Sequence, residues 1–106
     1  PAANPYLVLA VCLEAGLDGI RNQITPPDAV TENVFEMQLQ QRAKLGIESL
    51  PGDLEQAVEE LEKDDYIKNV LGGHITEKYL EAKRAEWADY RAQVTEWEIE
   101  KYLYKI

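Results

Sequence analysis

Nucleophilic and acid–base chemistry needs a few side chains held within reach of one another, and this sequence offers few of them. His74 is the only histidine and Cys12 the only cysteine. A catalytic histidine needs an orienting carboxylate and a nucleophile beside it. Cys12 is the sole candidate, and it lies inside the uninterrupted apolar run Tyr6–Leu13. Cys12 therefore reads as a core residue. His74 follows Gly72-Gly73 at a helix start and reads as structural. The densest set of metal-ligating side chains is Glu59, Glu60, Glu62, Asp64 and Asp65. An EF-hand loop places acids at alternate positions around a central Gly and closes on a Glu. That pattern is absent and no His is adjacent, so these acids read as a solvated helical face. There is no Gly-rich phosphate loop, and CxxC, HExxH and GxSxG do not occur. Trp87, Trp97 and the six tyrosines lie at helical spacing without clustered Lys or Arg. They read as packing residues, not as a base-stacking platform. No catalytic, cofactor-binding or metal residue is assigned.

Composition sets the frame. The chain has 106 residues, 45% hydrophobic, among them 27 Leu, Ile, Val and Phe. That is enough for one small core and one unit over residues 1–106. The net charge of −9 disfavours nucleic acid and anionic membrane surfaces, both of which reward clustered cations. The acidity is local, because residues 48–66 hold 8 acids and the single base Lys63. The longest apolar run is too short to span a bilayer and lacks the flanks of a signal peptide. A lone cysteine forms no internal disulfide, which fits a reducing, cytoplasmic setting. The first residue is Pro, which suggests a processed chain or a piece of something longer.

The positioning elements are all helical: a small irregular assembly, with long helices near each end joined by loops and short helices. Leu9, Leu13, Leu17, Ile20 and Ile24 share one face of a first helix. Asn4 is its N-cap, Pro5 occupies the first turn, and Pro26-Pro27 is the predicted stop. From Tyr6 to Leu13 that helix is apolar all round, so it belongs inside a larger body. Residues 6–13 are expected to make the isolated chain self-associate. Asp28–Met37 reads as a loop, and Gln38–Leu45 as a short helix stopped by Gly46. Leu50-Pro51-Gly52 reads as a turn. Asp53 with Gln56 forms a capping-box variant ahead of Leu54, Val58 and Leu61. Asp64 or Asp65 starts another short helix, which Gly72-Gly73 ends. Thr76 is the predicted cap of the last long helix, with Ile75 and Leu80 as a staple. Leu80, Trp87, Tyr90 and Val94 form its stripe. Thr95 with Glu98 is a second capping box, so the helix breaks near Thr95. The final segment carries Ile99, Leu103 and Ile106 on one side, flanked by Tyr102 and Tyr104, and is too short to stand alone.

Several segments carry a resemblance in order and spacing. Asn4-Pro-Tyr-Leu7, Ala15-Gly-Leu-Asp-Gly-Ile20, Asn33-Val-Phe-Glu-Met37, Gly46-Ile-Glu-Ser-Leu-Pro51, Leu61-Glu-Lys-Asp-Asp65, Glu81-Ala-Lys-Arg-Ala-Glu-Trp87 and Tyr90-Arg-Ala-Gln-Val-Thr-Glu-Trp-Glu98 span nearly the whole chain. Together they resemble the C-terminal helical part of bacterial and archaeal type I glutamine synthetases. That resemblance implies an ATP-dependent ligase that joins glutamate and ammonia through a γ-glutamyl phosphate, with Mg or Mn. It places the catalytic Glu and Arg upstream of Pro1, and so implies that this segment is inactive alone. It puts Phe35 where many relatives carry an adenylylated Tyr, and Phe has no hydroxyl to modify. The following Gln38-Leu-Gln-Gln-Arg42 departs from the acid-rich pattern common there. It also implies a homododecamer of two stacked six-membered rings, with Tyr102, Leu103, Tyr104 and Ile106 docking on the opposite ring. The alternative for these four is packing back on the Trp87 stripe. The rival readings are a paralogous ligase that couples glutamate to another amine, and a free-standing acidic helical interaction module. The second would need a start Met and a self-sufficient core.

Overall fold

The computed structural model describes residues 2–103 and Lys105, and every regular element among them is helical. The long helices are α1 (Pro5–Arg21) and α5 (Gly73–Arg91), with α2 (Leu39–Lys44), α3 (Leu54–Lys63) and α4 (Asp65–Leu71) between them. A short tail follows as α6 (Glu96–Glu98) and a π-helical turn, Ile99–Leu103. This is the all-α, irregular assembly the periodicity predicts. Several helix ends differ from those the residue pattern predicts, each for a local reason.

Asn4 caps α1 as expected, its Oδ1 accepting from the N–H groups of Tyr6 and Leu7. The helix then ends at Arg21, before Pro26-Pro27 is reached. The Ile24 N–H donates to the Gly19 carbonyl at 2.9 Å and the Gln23 N–H to the Ile20 carbonyl at 3.2 Å, with Gln23 at φ +50°. This paired closure around a left-handed residue is a Schellman stop. Gly46, at φ +67°, closes α2 in the same way, with the Ile47 N–H on the Arg42 carbonyl at 2.9 Å. Asp53 caps α3 through the Gln56 N–H at 2.8 Å, but Gln56 Oε1 reaches back to the Gly52 N–H, one residue earlier than a regular capping box requires. Asp64, not Asp65, caps α4 through the Ile67 N–H.

Thr76 is not the cap of α5. Gly72, at φ +79° and ψ 155°, ends α4 and begins α5 at once, and the Thr76 N–H already donates helically to the Gly72 carbonyl. An L side chain rarely adopts that backbone, which is why glycine stands there. Thr76 instead lies buried inside the first turn and donates its hydroxyl to the Lys68 carbonyl of α4 at 3.3 Å.

Packing is thin. Among the described residues α3, α4 and α5 touch one another, α1 rests mainly on α4, and neither α2 nor the tail packs against another helix. Among the described residues only Met37, Val58 and Thr76 are buried. The radius of gyration is 18.5 Å, against about 13 Å for a compact domain of this length. The accessible surface is 9469 Å², where a compact protein of this mass shows about 6,000 Å².

Candidate functional site

α1 carries two apolar faces. Leu7, Val11, Glu14, Leu17, Asp18 and Gly19 are the half-buried positions of the helix, on the side toward α4. Of the longer stripe that the sequence suggests, only Leu17 is half-buried: Leu9 is 70% exposed, Leu13 64% and Ile20 75%, and Ile24 beyond the helix is exposed too. Cys12 is exposed as well, which corrects its reading as a core residue. It borders an open apolar groove of about 240 Å³ between α1 and Leu61, Ile67, Leu71 and Tyr79. The physical reason is area: one small neighbouring helix covers one side of a cylinder and leaves the rest bare.

The α1–α4 contact has one polar fastening that sequence reasoning missed. The Tyr66 hydroxyl donates to the Glu14 carbonyl at 3.0 Å, with the Glu14 carboxylate at 3.4 Å. Arg21 reaches the same carboxylate from the next turns of α1. Desolvation against α1, then the Asp18 and Glu14 charges, push the Tyr66 phenol above its ordinary value. Nothing local in the sequence marks Tyr66, because its partner lies 52 positions away.

Phe35 tops a turn built by Asn33. The Asn33 Oδ1 accepts from the Phe35 N–H at 3.1 Å, and the Asn33 carbonyl accepts from the Glu36 N–H. This Asx turn holds Met37 inward at 8% exposure and Phe35 outward at 95%. A side chain at this position is offered wholly to solvent.

The tail is the third bare surface. Tyr102 is 65% exposed and Leu103 59%, while Tyr104 and Ile106 lie outside the described residues. The described part of the tail makes no packing contact with α5 and so does not fold back on the Trp87 stripe. That stripe is itself shorter than predicted: Tyr90 is 65% exposed and Val94 72%. The packed face of α5 runs through Thr76, Leu80, Lys83 and Trp87.

Three of the five acids of residues 59–65 are paired with cations, and a fourth, Asp64, caps α4. Glu60 pairs with Lys63 and Asp65 with Lys68, each at 2.8 Å, and Glu62 pairs with Arg84 of α5. The Lys68 ammonium holds the Asp65 carboxyl below its ordinary value. Among the described residues no three His, Cys, Asp or Glu side chains converge as metal ligands. The donor set therefore does not fit Mg or Mn, and no step through metal or nucleotide is assigned to these residues. His74 is exposed in the first turn of α5. No described helix is long and apolar enough to cross a membrane.

The sequence profile described as "Glutamine synthetase, catalytic domain" matches residues 1–102. The chain is 52% identical over 104 residues to a glutamine synthetase of Thermotoga maritima, covering 98% of this chain and 24% of that protein. It is 50% identical over 103 residues to one of Methanocaldococcus jannaschii, covering 97% of this chain and 23% of the relative. A glutamine synthetase of Clostridium saccharobutylicum is 48% identical over 105 residues, 99% of this chain and 24% of its own length. The chain thus spans about a quarter of the length of the relatives it matches.

Proposed function

This chain belongs to the glutamine synthetase catalytic-domain family, and from that premise we propose that it is the C-terminal helical portion of an ATP-dependent glutamate–ammonia ligase. The complete cytoplasmic enzyme makes glutamine with ATP and Mg or Mn, and this segment supplies no catalytic residue. Its work is structural: it completes the subunit and joins subunits. The observation that carries this reading is the mismatch between surface and core. Leu9, Leu13 and Ile20 stand bare on α1 while only three described residues are buried. Single exposed apolar residues are ordinary, but a bare stripe of this size marks a surface meant to be covered.

Two roles follow by position. The tail docks on another subunit through Tyr102, Leu103, Tyr104 and Ile106, within a homododecamer of two stacked six-membered rings. Phe35 occupies an exposed turn where many relatives are adenylylated on Tyr, and the missing hydroxyl leaves nothing to modify. The test is a γ-glutamyl transfer assay on two proteins. The complete synthetase is expected to be active, and the isolated 106-residue chain inactive at any ATP and metal concentration. Measurable transfer by the isolated chain would overturn the structural reading.

A further inference from the structure

The tail raises a question of direction. α5 ends at Arg91, one turn bond from the Gln93 N–H to the Tyr90 carbonyl follows, and nothing in α5 packs on residues 96–103. Packing therefore does not set where the tail starts or how it is wound. Its own first turn does. The Thr95 N–H and the Thr95 hydroxyl both donate to one Glu98 carboxylate oxygen, each at 2.8 Å. The Glu98 N–H returns to the Thr95 Oγ1 at 3.3 Å, and the Ile99 N–H to the Thr95 carbonyl at 3.0 Å. The four bonds close a small ring around residues 95–99.

A second observation comes from the winding. Trp97 and Tyr102 meet edge to face, with ring centroids 5.9 Å apart. In an α-helix of 3.6 residues per turn, side chains five positions apart point about 140° away from each other. The wider winding of Ile99–Leu103, with its bonds five residues apart, brings the two rings onto one side. Edge-to-face geometry is the favoured aromatic arrangement. Among the described residues the tail is thus wound by its own side chains, without packing from the other helices.

We propose that Thr95, through its ring of hydrogen bonds with Glu98, and the Trp97–Tyr102 pair are positioning residues that pre-form the tail for docking on another subunit. The inference rests on the assembly reading above and deepens it. A peptide this short otherwise loses backbone freedom at the moment of docking, and a pre-formed one does not. Thr95→Ser keeps a hydroxyl that can donate and accept, whereas Thr95→Ala removes it.

The test uses the complete synthetase and reads the concentration at which the assembly dissociates, by mass photometry on dilution. Four proteins are compared: wild type, Thr95→Ala, Thr95→Ser and a chain ending at Thr95. The truncated chain should dissociate at the highest concentration. Thr95→Ala should raise the dissociation concentration roughly fivefold per docked tail, the usual scale of a lost cap. Thr95→Ser should match wild type, and the thermal midpoint of Thr95→Ala should be unchanged below the assembly transition. If the truncated chain dissociates easily while Thr95→Ala behaves as wild type, the positioning role is wrong and the docking reading survives. If truncation leaves the assembly intact, both are wrong.

Discussion

Val58 and Thr76 do at the scale of single residues what a large core does elsewhere. Val58 is 6% exposed, the most buried of the described apolar side chains, and lies on the face of α3 that meets α5. Thr76 is 7% exposed and spends its hydroxyl on the Lys68 carbonyl of α4. Val58 joins α3 to α5 beside Trp87, and Thr76 joins α5 to α4 at the other end of α5. Val58→Ala removes two buried methyl groups and leaves a gap that short helices close only in part. The expected loss is about 2 kcal/mol, read as a lower urea midpoint with unchanged slope by the fluorescence of Trp87. A midpoint within error of wild type would mean that α3 and α5 do not hold together through Val58. The neighbouring ion pair of Glu62 with Arg84 adds little, because both side chains remain substantially solvated.

At the scale of elements, the ends of helices are better determined than their contacts. Asn4, Gly46, Asp53, Asp64 and Thr95 all terminate helices as their residue types dictate. These signals are legible because the group each satisfies is a backbone N–H or carbonyl a few residues away. The failures have the same logic in reverse. The stop after α1 uses Gln23, a residue with no preference for positive φ, so the sequence points past it to Pro26-Pro27. Gly72 caps α5 four residues before Thr76, and frees Thr76 to reach α4. Which face of α1 is covered was not legible at all. Leu9, Leu13 and Ile20 make the stronger stripe, and Leu7, Val11 and Leu17 face α4. Periodicity finds apolar faces but does not say which partner exists within the chain. The Thr95–Glu98 capping box was legible in the residues themselves, whereas the roles proposed for Phe35 and the tail rest on resemblance.

One element has a defined pH response. The Thr95 backbone and hydroxyl donate to Glu98 and hold its carboxyl below the ordinary value of 4.5. A carboxylate whose pKa falls on folding stabilises in its ionised form. Its contribution is therefore complete above pH 4.5 and is lost as the pH drops through the lower folded value. The Thr95 amide proton should move toward its unstructured chemical shift, and exchange faster, over that acid range, while the Ile67 amide capped by Asp64 follows its own course. A Thr95 amide insensitive to acid would contradict the arrangement.

The whole molecule is a sheet-like slab of helices, 60 by 41 by 23 Å, with more surface than its mass warrants. The bare stripe on α1 has a consequence for the chain in isolation. Leu9 and Leu13 from two copies can cover each other, so the 106-residue chain should self-associate in proportion to concentration. Leu9→Asp places a charge in that stripe without touching the α4 contact, and should shift the weight-average mass by light scattering back toward 12.1 kDa. A wild-type chain that stays monomeric at high concentration would overturn this. The net charge of −9 opposes association, and residues 48–66 carry most of it.

The order in which these pieces appear during synthesis gives the α1–α4 contact a temporal side. Roughly 45 residues separate the end of α1 from the start of α4, and ribosomes add about 5–20 residues per second. α1 therefore emerges several seconds before the helix that holds Tyr66, with both of its apolar faces uncovered in the meantime. α3, α4 and α5 follow one another closely in the chain and touch one another, so those contacts can consolidate within moments of leaving the tunnel. For α1, the interval before Tyr66 reaches the Glu14 carbonyl is when a chaperone has most to shield.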